Sequence, residues 1–127
     1  MEIDMTYEVK IVHEVSEEFL FDILTTAAEG GIGYWAIYDV DRAEDLSVTR
    51  IHHICDAEDE EEELGNDIDA RAVAHALALI AAGKTNLSNY HIDIITKAVA
   101  DDDCSELDAD DCDVIVQVAL FDEVVYG

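Results

Sequence analysis

Within residues 56–63, Asp56, Glu58, Asp59, Glu60, Glu61, Glu62 and Glu63 put seven carboxylates into eight positions with no base among them. Residues 101–113 add Asp101, Asp102, Asp103, Glu106, Asp108, Asp110, Asp111 and Asp113, again without a lysine or arginine. Acids in such number suit two chemistries. Oxygens converging at ~2.4 Å hold a hard cation, and a row of like charges imitates a polyanion. The cation reading fails on spacing. Asp108-Ala109-Asp110-Asp111-Cys112-Asp113 begins like a calcium loop, but its fifth position is Cys112, its sixth is Asp113 where glycine is needed, and its twelfth is Ala119. Asp39 and Asp41 open a second partial match that stops at Ala43.

Other reactive residue types give less. His52, His53 and Cys55 lie on one expected strand, where alternation would place His53 and Cys55 on the same face. Two ligands do not make a metal site, and no spacing supports a third from His13, His75 or His91. The expectation is a strand histidine and a buried thiol, with no metal and no cofactor. Ser16, Ser47 and Ser88 lack the glycines of a nucleophile elbow. Gly30-Gly31-Ile32-Gly33 follows a helical pattern and leads into a strand, the reverse of a phosphate-binding loop. No enzyme is expected from these residues. Tyr34, Trp35 and Tyr38 could stack on bases, but 6 Lys and Arg against 32 Asp and Glu set the wrong field for direct nucleic-acid binding.

The charge itself remains. Carboxylates two apart on a strand stand ~6.8 Å apart, and those three or four apart on a helix ~5–6 Å. Either backbone can therefore present a phosphate-like row to a basic cleft. On this reading all fifteen acids of the two blocks are partner contacts, each a phosphate substitute, and the partner is a nucleic-acid-binding protein. The alternative is adaptation to a high-salt interior, where the Debye length falls to ~3 Å at 1 M. The net charge of −26 and the absence of proline suit it, but 17 of the 32 acids fall in residues 56–69 and 101–113.

The elements that must position these acids follow from periodicity. Residues 5–13 alternate as a half-buried strand. Ser16 caps a helix whose apolar face runs through Phe19, Leu20, Ile23, Leu24, Ala27 and Ala28 and ends at Gly30 and Gly31. Residues 31–38 and 47–55 read as a hairpin with a polar turn over 39–45, and the acids after it as a linker. Asp69, either Ser88 or Asn89, and Asp108 are expected to start three further helices, and residues 123–126 finish as a short strand. This order predicts an α+β fold, a small antiparallel sheet with about four helices packed on it, in one domain over residues 1–127.

Half the residues are hydrophobic, enough for a core and too many for a disordered acidic tail. Cys55, Cys104 and Cys112 are odd in number and widely spaced, which predicts reduced thiols in a cytoplasmic setting. The start of the chain lacks the basic and apolar regions of a signal peptide, and no apolar run approaches the ~20 residues of a membrane helix. Neither membrane nor nucleic acid is expected as a direct partner, and the reading leaves room for a homodimer.

Two segments add a resemblance. Glu29-Gly30-Gly31-Ile32-Gly33-Tyr34-Trp35-Ala36 and Asp113-Val114-Ile115-Val116-Gln117-Val118-Ala119-Leu120-Phe121-Asp122-Glu123-Val124-Val125-Tyr126-Gly127 resemble a family of small phage and mobile-element proteins of unknown function. In overall character the chain is similar to DNA-mimicking anti-CRISPR and anti-restriction proteins. These resemblances imply a phage-type inhibitor in the host-cell cytoplasm. It would occupy the nucleic-acid groove of a host defence complex, a CRISPR surveillance complex first and a restriction enzyme next.

Overall fold

The computed structural model describes residues 12–127. The first helix, α1 (Glu17–Thr26), starts where Ser16 Oγ accepts from Phe19 N at 3.1 Å, with Glu17 and Glu18 in the first turn. Phe19, Leu20, Ile23 and Leu24 face inward at the expected helical spacing. Beyond Thr26 the chain continues through one wide π turn, Ala27–Gly31, in place of the expected glycine stop. Gly31 is required there by contact: a Cβ on it would come 3.0 Å from the carbonyl oxygen of Ala109.

The hairpin forms later than the aromatics suggest. Trp35 N and Ala36 N both donate to Ile32 O, so residues 32–35 turn, and β1 runs Ala36–Arg42. Ala36, Tyr38 and Val40 point inward, while Ile37, Asp39 and Asp41 are exposed. The partner strand, β2 (Val48–Asp56), buries Val48, Ile51 and Ile54, three residues apart. A spacing of three does not fit a pleat of period two. Two register shifts, one between Asp41 and Arg42 and one between Ile37 and Asp39, each give β2 an extra residue and return the next apolar side chain to the core. At the second, His53 takes φ +50, a left-handed conformation that costs a non-glycine residue ~1–2 kcal/mol.

The acids expected as a linker are a strand. After a turn at Ala57 and Glu58, β3 (Asp59–Glu63) pairs antiparallel with β2 through Cys55↔Glu63 and Asp56↔Asp59. Glutamate is a poor strand former, but an edge with both faces in water does not penalise it, and charge there blocks pairing with other chains. β4 (Ile68–Asp69) also pairs with β2, bringing Ile68 opposite Ile51.

The caps then fall where the sequence puts them. Asp69 Oδ1 accepts from Ala72 N at 2.9 Å to open α2 (Ala70–Ala81), and Gly83 follows at φ +69. Ser88 opens α3 (Asn89–Asp101), and Asp108 opens α4 (Ala109–Phe121) with Asp111 in a reciprocal capping box. α4 is the central helix: residues 111–118 are all buried, and it packs on α1, α2, the π turn and β4. α1 covers the inward face of β2. Among the described residues, four helices on a small four-stranded antiparallel sheet make this an α+β fold. No described helix is long and apolar enough to cross a membrane.

Two expected strands need comment. The one over residues 5–13 lies outside the described residues except for Val12 and His13, which are irregular and exposed. The one over residues 123–126 is not a strand. Its backbone is held by side chains: Gln117 Oε1 accepts from Val125 N and Tyr126 N at 2.8 Å, and Asn86 brackets Val124 at 2.7 and 2.9 Å.

Candidate functional site

The fifteen acids divide into two environments. All five residues of β3 are exposed, so Asp59, Glu60, Glu61, Glu62 and Glu63 stand free of the core on both faces of the edge. Glu58 is also exposed. Asp56 and Asp59 are partly spent on the local fold, accepting from Glu58 N at 2.8 Å and Glu61 N at 3.1 Å. Among the described residues, the arginine ion pairs lie elsewhere: Arg42 with Glu29 at 3.0 Å, and Arg50 with Asp41 at 2.9 Å and Asp67 at 3.4 Å. The β3 charge is therefore not neutralised by those arginines.

In the second block Asp101, Asp102, Asp103, Glu106, Asp108 and Asp110 are exposed. Asp102 accepts from Ser16 N at 3.0 Å and Ser16 Oγ at 3.2 Å, joining the end of α3 to the start of α1. The Asp108 carboxyl is held below the usual carboxylate range, chiefly by the hydrogen bond from Asp111 N. The first block approaches the second at Trp35, whose carbonyl oxygen accepts from Ala57 N at 3.0 Å and whose indole donates to Asp113 on α4. Asp108 caps its start, whereas Gly65, just after β3, lies against Leu120 near its end.

Asp111 and Asp113 do not belong to any surface row. They are 2 % and 5 % exposed, because α4 is buried on every side over this stretch. Asp111 completes the cap and accepts from His91 Nδ1 at 2.8 Å. Asp113 takes three donors: Tyr34 OH at 2.7 Å, Trp35 Nε1 at 2.8 Å and Gln117 Nε2 at 3.0 Å. Trp35 stacks on Tyr126 with centroids 5.0 Å apart and planes 7° from parallel. The glycine-aromatic segment and the C-terminal segment, distant in sequence, thus close around one buried carboxyl and one buried amide. Tyr34 and Trp35 are accounted for by this packing. The Tyr34 hydroxyl is pushed up to about 12 by desolvation first and by Asp113 next.

A cavity of about 380 Å³ opens beside this junction, lined in part by Tyr34, Ser88, His91, Asp110, Asp113 and Tyr126. Most of its polar groups are engaged structurally, His91 with Asp111, Ser88 with His91 N, and Asp113 with its three donors. The thiols of Cys104 and Cys112 are pushed up to about 12, in each case mainly by burial, which makes them poor nucleophiles.

One cluster was not visible in the spacing. Ligand atoms of Asp39, His52 and His53 lie within 4.8 Å of one another. Strict alternation would set His52 and His53 on opposite faces, but the bulge at His53 leaves their rings in edge contact, with centroids 4.7 Å apart. Asp39 arrives from β1, opposite His52 in the register. The apolar spacing 48, 51, 54 is the sequence feature that could have signalled the bulge. No family model, no curated protein and no solved structure matches the chain.

Proposed function

We propose that the protein is a polyanion mimic, a phage-type inhibitor that sets its acidic edge into the nucleic-acid groove of a host defence complex. A CRISPR surveillance complex is the preferred target and a restriction enzyme the next. The observation that carries this reading is β3: five consecutive exposed carboxylates on an edge segment tied to β2 at Asp59 and Glu63. Pairing at both ends of the segment, Asp59 with Asp56 and Glu63 with Cys55, limits the chain freedom lost on binding. The exposed acids at the end of α3 and the start of α4 supply a second patch. Asp111 and Asp113 are buried and drop out of the contact set, and Asp56, Asp59, Asp102, Asp103 and Asp108 each also accept a hydrogen bond within the fold.

A groove built for phosphates attracts such an edge at long range and exchanges its counterions on contact. Retention of proteins from a host lysate on the immobilised chain tests this. The retained proteins should bind DNA and should be displaced by excess duplex DNA. Retained proteins indifferent to duplex DNA would contradict the proposal.

Salt adaptation is the second reading, favoured by exposed acids elsewhere, such as Glu17 and Glu18 on α1, Asp39 and Asp41 on β1, and Asp93 on α3. Thermal melts at low and molar salt separate the two. A salt-adapted chain unfolds at low salt because screening no longer relieves its self-repulsion, whereas a mimic stays folded there.

A further inference from the structure

We propose that Asp39, His52 and His53 form a binding site for a divalent transition cation, zinc foremost, on the outward face of the hairpin. The site is independent of the acidic edge proposed to meet the partner. Three observations converge on it. The ligand atoms already gather within 4.8 Å, and His53 Nδ1 lies 3.0 Å from Asp39 Oδ2. The cation replaces the proton those two atoms share and draws the ring of His52 inward. The gathering depends on an uncommon backbone feature, the left-handed His53 at φ +50 within a bulge, which re-aims a side chain that a regular strand would send away. A second carboxylate, Asp41, stands 3.2 Å from His52 Nε2 and is itself 2.9 Å from Arg50 Nε. A carboxylate beside a ligating histidine fixes the ring and strengthens it as a donor.

The donor set selects the metal. Two imidazoles and one carboxylate suit zinc and its neighbours among the divalent transition metals, and not calcium or magnesium, which take oxygen ligands. Three protein ligands leave a fourth position open, and the His53 side chain is 74 % exposed, so water or a group from another molecule can complete the shell. The net charge of −26 raises the concentration of any divalent cation near the surface.

The same acidity sets the terms of the test, since carboxylates alone would gather cations loosely. Zinc chloride is titrated calorimetrically into the full chain in excess magnesium, with cobalt(II) absorption as a second readout of ligand type. The expected result is one equivalent that magnesium does not displace, with a cobalt spectrum of nitrogen and oxygen ligation. His53→Gly removes an imidazole while suiting the left-handed backbone, so its fold is retained and the tight equivalent should disappear. Asp39→Asn should abolish it as well, and Asp41→Asn should weaken it on the order of tenfold. Several weak equivalents that magnesium removes, or an affinity unchanged in His53→Gly, would overturn the assignment.

Discussion

Asp113 and Glu61 carry the same functional group in opposite surroundings. Asp113 is enclosed by Trp35, Tyr34 and Gln117 and satisfies a donor from each, whereas Glu61 stands on an exposed edge strand. The first acid is part of why the chain folds, since three donors would lose an acceptor without it. The second adds repulsion to the folded state, and its neighbours on β3 repeat that cost. Acidity in this protein therefore has two separable origins, and substitutions can address them one at a time.

The sharpest separation comes from the buried end. Asp113→Ala leaves the buried indole N–H without an acceptor and takes one of two acceptors from the Tyr34 hydroxyl and the Gln117 amide, and should lower stability by about 3 kcal/mol in a urea melt. A loss under about 1 kcal/mol would mean that water replaces the carboxyl freely. Next in size is the capping box of α4. Asp108→Ala should cost about 1 kcal/mol, and its effect should depend on pH. The folded carboxyl is depressed, so its contribution is present above the ordinary carboxylate range and is lost as pH falls through that range and below it. Melts of the parent and the variant should therefore converge on acidification.

Tyr34 gives a smaller effect at the alkaline end. Its hydroxyl is raised to about 12, so the folded state favours the protonated form, and the stability this adds is present below pH ~10 and lost as pH rises through the folded value. Tyr38 and Tyr126 are raised as well, so ultraviolet titration should show the late-ionising absorbance reduced by one tyrosine in Tyr34→Phe. The smallest effect on stability belongs to β3. Changing Glu60, Glu61, Glu62 and Glu63 to Gln should move the melt by no more than ~0.5 kcal/mol per site, upward at low salt as repulsion is relieved.

The helices were legible because each begins with a side chain of the right chemistry: Ser16, Asp69, Ser88 and Asp108 all cap as their types and positions suggest. The acidic strand was not legible. Nothing local in a run of glutamates favours extended backbone, and β3 exists through its ladder to β2. Nor could spacing reveal that Asp111 and Asp113 are internal. Their burial comes from packing of α4 on all sides, a tertiary event that a charge count cannot register. The tail over residues 123–126 misled in a related way, since its adjacent Val124 and Val125 do not pair with a strand and Gln117 supplies the acceptor a neighbouring strand would have offered. The cluster of Asp39, His52 and His53 was hidden because it depends on a bulge, and strict alternation is the assumption a bulge breaks.

The account stands or falls on the exposed edge acting in recognition and not in folding. The most direct measurement is the affinity of the four-glutamine variant of β3, at fixed salt, for a partner displaceable by duplex DNA. Affinity should fall on the order of tenfold or more while the melting temperature holds or rises. An unchanged affinity in a variant that remains folded would contradict it.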